Sequence, residues 1–311
     1  MHKRWLAILR WLFPAILFLM LVRSMSKIGW LEVWEARPEN PLFYLLQIVI
    51  YVLLPVSEWI IYRRLLTTDR RLTPAVFFQK RYLNTMLIEY SGEAYFLFWA
   101  RKTLEMDHKR LMHVIRDSTL LSGAAGLVML WITLLVFVLP GSGNLPEFLT
   151  KWQRPMLTAA LLPVIPCLVI VFGGKLVTQM THREMAWTFF MHLARSIINF
   201  LLEVLGWWLS GALQELTQCF DFVAMRFVLS RLPVVPGKDL IFLGAGLEMS
   251  GVMDLSRPRV AAVLIIMTIF PQTVDFLLVM MTRLRSALMN SGRRRRGHSP
   301  DTLFQPDPDL R

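Results

Sequence analysis

Uncharged apolar runs divide this chain more sharply than any other feature. The run 118–140, "STLLSGAAGLVMLWITLLVFVLP", carries no charged residue after its start. As a helix at about 1.5 Å per residue it reaches about 34 Å, against a hydrocarbon core of about 30 Å. Comparable runs at about 5–24, 42–62, 155–177, 186–211 and 259–282 predict six crossing helices in all, with Pro14, Pro55, Pro163, Pro166 and Pro271 as kinks. The first run starts basic, "MHKR", and no small-residue cleavage pattern follows, so it reads as an uncleaved span. Two further stretches, 75–99 and 232–255, are apolar but interrupted by Gly, Ser, Pro and charge. Those interruptions predict broken or re-entrant helices that return to the side they entered from. The expected fold is an all-α integral membrane protein of six transmembrane helices plus two broken hairpins, in a polytopic domain 1–282 with a basic, disordered cytoplasmic tail 283–311.

Composition agrees with that reading: the chain is 55% hydrophobic with a mean hydropathy of +0.48. The formal charge of +12 then reads as a topology signal before it reads as a nucleic-acid surface. With both interrupted stretches as hairpins, 23 of the 34 Lys and Arg fall on one side of the membrane and 10 on the other, with Arg195 inside a span. Both termini are therefore expected in the cytoplasm. The tail "GRRRRGHSPDTLFQPDPDL" either enforces that topology or touches anionic headgroups. Cys167 and Cys219 show neither disulfide nor metal spacing, and no H-E-x-x-H, G-x-S-x-G, Walker or dinucleotide motif occurs. No cofactor, no metal and no catalytic residue are expected.

Ionisable residues inside apolar runs carry the functional expectation, because each costs about 2.5–3.5 kcal/mol at the bilayer centre unless it faces protein or water. Glu58, Glu89, Glu93, Arg195, Glu203, Asp221, Arg226, Glu248 and Asp275 qualify. Glu58, one turn before Tyr62-Arg63-Arg64, reads as an interfacial residue. Arg195, Asn199 and Glu203 recur at helical spacing and share a face, either as interhelical glue or as a substrate lining. In "IEYSGEAYFLFWARK", 88–102, Ser91-Gly92 loosens a helix, Glu93 follows, and Arg101-Lys102 stand two turns on. A break there exposes backbone amides and carbonyls that protein or water must satisfy, which implies a hydrated cavity fit for a charged headgroup. Arg101, Lys102, Lys109, Arg110 and Arg116 form either a basic cytoplasmic mouth for anionic lipid or ordinary topology anchors. "YSGEAYF" (90–96) and "VPGKDLIF" (235–242) each place a Gly and an acidic residue before an apolar, aromatic run, one in each half of the chain. That pairing is either the mark of an inverted repeat whose breaks, at Ser91, Gly92, Pro236 and Gly237, meet at one site, or a chance recurrence of Gly-acidic pairs in loops.

Two segments, "YLNTMLIEYSGEAYFLFWARKTL" and "LPVVPGKDLIFLGAGLEMSGVMDLSRPRVAAVL", together resemble the transmembrane region of the lysylphosphatidylglycerol synthase family across about 80–281. Asn84, Gly92, Glu93, Arg101, Pro233, Pro236, Gly237 and Gly251 fit its pattern. The family's Gly-Gly-x-Gly stands here as Gly237-Lys238-Asp239-Leu240, its following acidic residue is Leu243, and its Glu-Arg pair is Arg116-Asp117. The resemblance implies a membrane-embedded, flippase-like protein of the cell inner membrane. Joined to the charges within the apolar runs, this gives the leading expectation that a polar lipid headgroup passes Glu93, Arg101, Arg195, Glu203 and Asp239, with the phospholipid as partner and no covalent step. The alternatives are a membrane subunit that docks a lipid- or glycan-synthesis partner, as a hetero- or homo-oligomer, and a membrane transferase, for which carboxylates and histidines are not grouped at one face.

Overall fold

The computed structural model describes residues 28–66, 70–86, 90–138, 178, 180–230 and 238–295, with isolated positions between 19 and 26. Among these residues every regular element is an α-helix: α1 (Trp30–Glu35), α2 (Pro41–Leu65), α3 (Pro74–Met86), α4 (Ser91–Leu104), α5 (His108–Val138), α6 (His182–Ser210), α7 (Leu216–Ser230), α8 (Lys238–Val252) and α9 (Arg257–Arg295). Four segments are long and apolar enough to cross a bilayer: Pro41–Leu65, His108–Thr133, His182–Ser210 and Arg257–Leu278. The chain is an all-α membrane protein. Four of the six expected spans are accounted for; the runs 5–24 and 155–177 lie outside the described stretches.

Local chemistry sets the helix starts. Asn40 accepts a hydrogen bond from the Leu42 amide at 3.0 Å, with Pro41 behind it, so α2 begins on a capped first turn. Thr181 and Glu184 form a reciprocal capping box for α6, and the helix ends at Gly211 in the left-handed region (φ 66°). α5 starts at His108, ten residues before the apolar run, so the basic stretch 108–116 is helix and not loop. α9 stays helical to Arg295, so the disorder expected from residue 283 does not begin there. The chain divides into two compact units at Phe270/Pro271, within the last apolar helix.

Within the first unit, buried apolar side chains gather in two clusters. One unites Phe43, Trp207, Phe222, Leu264 and Met267 with Phe242 and Leu247 of α8. The other comprises Tyr62, Phe77, Phe96, Ala100 and Leu111, and holds α3 and α4 against α2 and the start of α5. α3 and α4 have 13 and 14 residues. At about 20 Å each they are too short to cross, as expected of a re-entrant hairpin. They run antiparallel: Ser91 Oγ donates to the Leu83 carbonyl at 2.6 Å while Phe96 packs on Phe77 at 5.1 Å between ring centroids.

Cys219 of α7 is fully buried, and burial pushes its thiol up to about 11. In a Cys167→Ser background, maleimide should label the folded protein on the order of a hundredfold more slowly than the SDS-unfolded chain. Equal rates would mean that α7 is not packed as described.

Candidate functional site

The short hairpin carries a buried ion cluster. Lys80 lies on the inner stripe of α3 with Val76 and Phe77, and only 2% of its side chain is exposed. Its ammonium donates to Glu58 Oε1 of α2 at 2.7 Å and lies 3.3 Å from Glu93 Oε1 of α4. Tyr62, Phe77 and Phe96 roof it, the three centroids 4.7–5.5 Å apart, with Lys80 Nζ 5.4 Å from the Tyr62 ring. Three helices thus contribute one charge each, two carboxylates to one ammonium, behind an aromatic lid that strengthens their interaction by excluding water. Glu93 Oε2 is shut off from solvent and makes no hydrogen bond.

Backbone geometry places Glu93 there. The break falls before Ser91: Tyr90 is left-handed (φ 73°), and α4 starts directly after it. Gly92 sits inside the first turn, where its amide donates to Asn84 Oδ1 at 2.7 Å. A Cβ on Gly92 would collide with the Lys80 carbonyl oxygen and lie 2.8 Å from Asn84 Oδ1. Glycine is required for close approach of two backbones, not to loosen the helix. Asn84, Ser91, Gly92 and Glu93 therefore act as one joint.

A hydrogen-bonded path leaves this cluster. The Tyr62 hydroxyl shares a hydrogen bond with Ser118 of α5, whose Oγ shares another of 3.2 Å with His192 Nε2 of α6. One turn along each helix, Arg195 Nη2 donates to Ser122 Oγ at 3.1 Å. Polar side chains of α2, α3, α4, α5 and α6 thus form one buried group.

Glu203 stands apart from it. Asn199 Nδ2 donates to Glu203 Oε1 at 2.8 Å, and Arg226 of α7 lies 3.3 Å from Glu203 Oε2. Arg226 also stacks over Phe242 of α8 at 5.5 Å. The face expected to join Arg195 to Glu203 is real as a helix face, but its two ends serve different neighbours. The second break of the expected meeting, at Pro236 and Gly237, lies outside the described residues; α3 and α4 belong to one apolar cluster, and the described side chains of α8 to the other.

The remaining expected positions scatter. Arg101 and Lys102 lie exposed in the last turn of α4, with Lys109, Arg110 and Arg116 also exposed on α5, so Arg101 does not line the buried group. Asp239 falls in the first turn of α8 and its side chain lies outside the described atoms, as do Pro236, Gly237 and Pro233; Glu89 is likewise outside. Glu248 is exposed, and the half-buried Asp221 has its carboxyl pushed up to about 6 by burial. Glu58, expected at the interface, instead holds the buried Lys80. Arg116 and Asp117 pair at 2.8 Å, and Thr178 donates to Asp117 Oδ2 at 2.7 Å. Among the described residues no cluster of His, Cys, Asp and Glu is arranged to hold a metal. Comparison with family models, curated proteins and solved structures finds no significant match.

Proposed function

We propose that this protein is a flippase-like lipid translocase of a bacterial-type inner membrane, with both termini in the cytoplasm. The hairpin α3–α4 is its working element, and Glu93 is the group that meets the passing headgroup. The observation that carries this reading is the Glu58–Lys80–Glu93 cluster with its unpartnered Glu93 oxygen. A purely structural contact would be served as well by apolar packing, since buried ion pairs are often neutral or destabilising relative to it. A polar cluster kept within the bilayer marks a pathway by preference. Asn84, Gly92 and Glu93, the positions shared with the lysylphosphatidylglycerol synthase transmembrane region, are the ones joined at the hairpin turn. That agreement supports the same family reading.

Reconstitution into vesicles with headgroup-labelled phospholipid tests it. Labelled lipid should cross the bilayer faster with the protein than without. Glu93→Gln should slow that crossing about tenfold, the effect of losing one charge-assisted hydrogen bond. Crossing no faster than in empty vesicles would refute the proposal.

A further inference from the structure

Arg195 is a half-buried cation that makes no hydrogen bond to a carboxylate among the described residues. A guanidinium has five N–H donors, and a charge taken out of water needs most of its hydrogen bonds replaced. Among the described residues, the hydrogen bond made by Arg195 goes to a neutral hydroxyl, Ser122 Oγ, while Nη1 is shut off from solvent with no partner. Glu58 is within its electrostatic reach, but Glu58 gives its short bond to Lys80. Two further orphan atoms lie on the same face of α6. Thr188 Oγ1 and His192 Nδ1 are buried without hydrogen bonds, and Thr188, His192 and Arg195 recur at the i, i+4, i+7 spacing of one helical stripe. Ser118 and Ser122 of α5 face that stripe at hydrogen-bond distance. The seam therefore offers hydroxyl, imidazole and guanidinium groups, and no carboxylate is hydrogen-bonded to any of them among the described residues.

We propose that the α5–α6 seam around Ser122, His192 and Arg195 binds a phosphate oxyanion. The missing partner must offer negative charge to the forked donors of Arg195, because the carboxylate within electrostatic reach, Glu58, is hydrogen-bonded to Lys80 instead, and it must accept several hydrogen bonds at once. A tetrahedral phosphate does both, and it suits the forked donors of arginine better than those of lysine. In a bilayer the abundant source is the phosphodiester of a phospholipid. In that form the inference rests on the translocase reading and names what the headgroup's phosphate touches. A free or soluble phosphate has the same chemistry.

The test uses the full-length protein, stripped of lipid in dodecyl maltoside, with thermal unfolding followed as phosphatidylglycerol, a glucosyl-diacylglycerol of the same chains, or inorganic phosphate is added. Ligand binding to the folded state alone raises the midpoint by linkage. Phosphatidylglycerol should raise it, the glucolipid should not, and Arg195→Met should weaken the phospholipid effect about tenfold or more. Without lipid, Arg195→Met should melt close to wild type, because the hydrogen bond it removes goes to a neutral hydroxyl and Nη1 has no partner to lose. Arg195→Lys and Ser122→Ala, with intermediate losses expected, decide the matter if Arg195→Met does not fold. Equal protection by glucolipid and phospholipid, or undiminished protection in the Arg195 variants, would overturn the proposal. Protection by inorganic phosphate as strong as by the lipid would uphold the oxyanion site and overturn its lipid source. The two readings separate: wild-type translocation with unaltered Arg195→Met binding sinks only the phosphate site, and Arg195-dependent binding without translocation sinks only the translocase.

Discussion

Lys80→Met should be the most damaging single substitution in the hairpin, costing about 3–5 kcal/mol, because it strands two carboxylates within a buried site. Glu58 Oε1 and Glu93 Oε1 stand 2.7 Å and 3.3 Å from the ammonium, and no other cation is hydrogen-bonded to either among the described residues. A variant that also carries Glu58→Gln and Glu93→Gln removes the stranded charges and should recover most of the loss. SDS-titrated unfolding of purified protein measures both. If Lys80→Met unfolds at the same SDS fraction as wild type, the cluster is not buried as described.

Gly92→Ala should follow closely. The added methyl would meet the Lys80 carbonyl oxygen and Asn84 Oδ1, which are backbone and a hydrogen-bonded amide and not the ends of flexible chains. Over-packing of this kind costs about 1–3 kcal/mol. Its larger effect is geometric: α4 must slide or tilt away from α3, carrying Glu93 off Lys80. Gly92→Ala should therefore reduce translocation at least as much as Glu93→Gln while lowering stability less than Lys80→Met. A variant as active and as stable as wild type would show that the two backbones need not touch.

The long spans were legible in the sequence because they follow from run length against bilayer thickness, and the hairpin was legible because Ser91-Gly92 and Glu93 interrupt its apolar run. Glu93, Arg195 and Glu203 were legible as charges that apolar runs do not carry without cause. Lys80 was hidden. It sits in a basic stretch with Arg70, Arg71 and Arg81, and so counted as a topology signal on the cytoplasmic side. The periodicity Val76, Phe77, Lys80 would have placed it on the inward stripe of α3, which is where it lies. Glu58 was misplaced for the matching reason: proximity to Arg63-Arg64 suggests headgroups, whereas its partner lies on a helix sixteen positions or more away in sequence. The sequence repeats a Gly-acidic pattern at both breaks, but a repeat carries no information about which spans each copy packs against. Spatial separation of α8 from the α3–α4 hairpin could come only from coordinates.

The hairpin's make-up also constrains how the chain is manufactured. Neither α3 nor α4 can dwell alone in hydrocarbon, since each bears a charge whose counterpart resides on another segment. α2 must accordingly remain near the insertion machinery until about residue 104 has emerged, so that the three helices move on together with Lys80 already held between its two carboxylates.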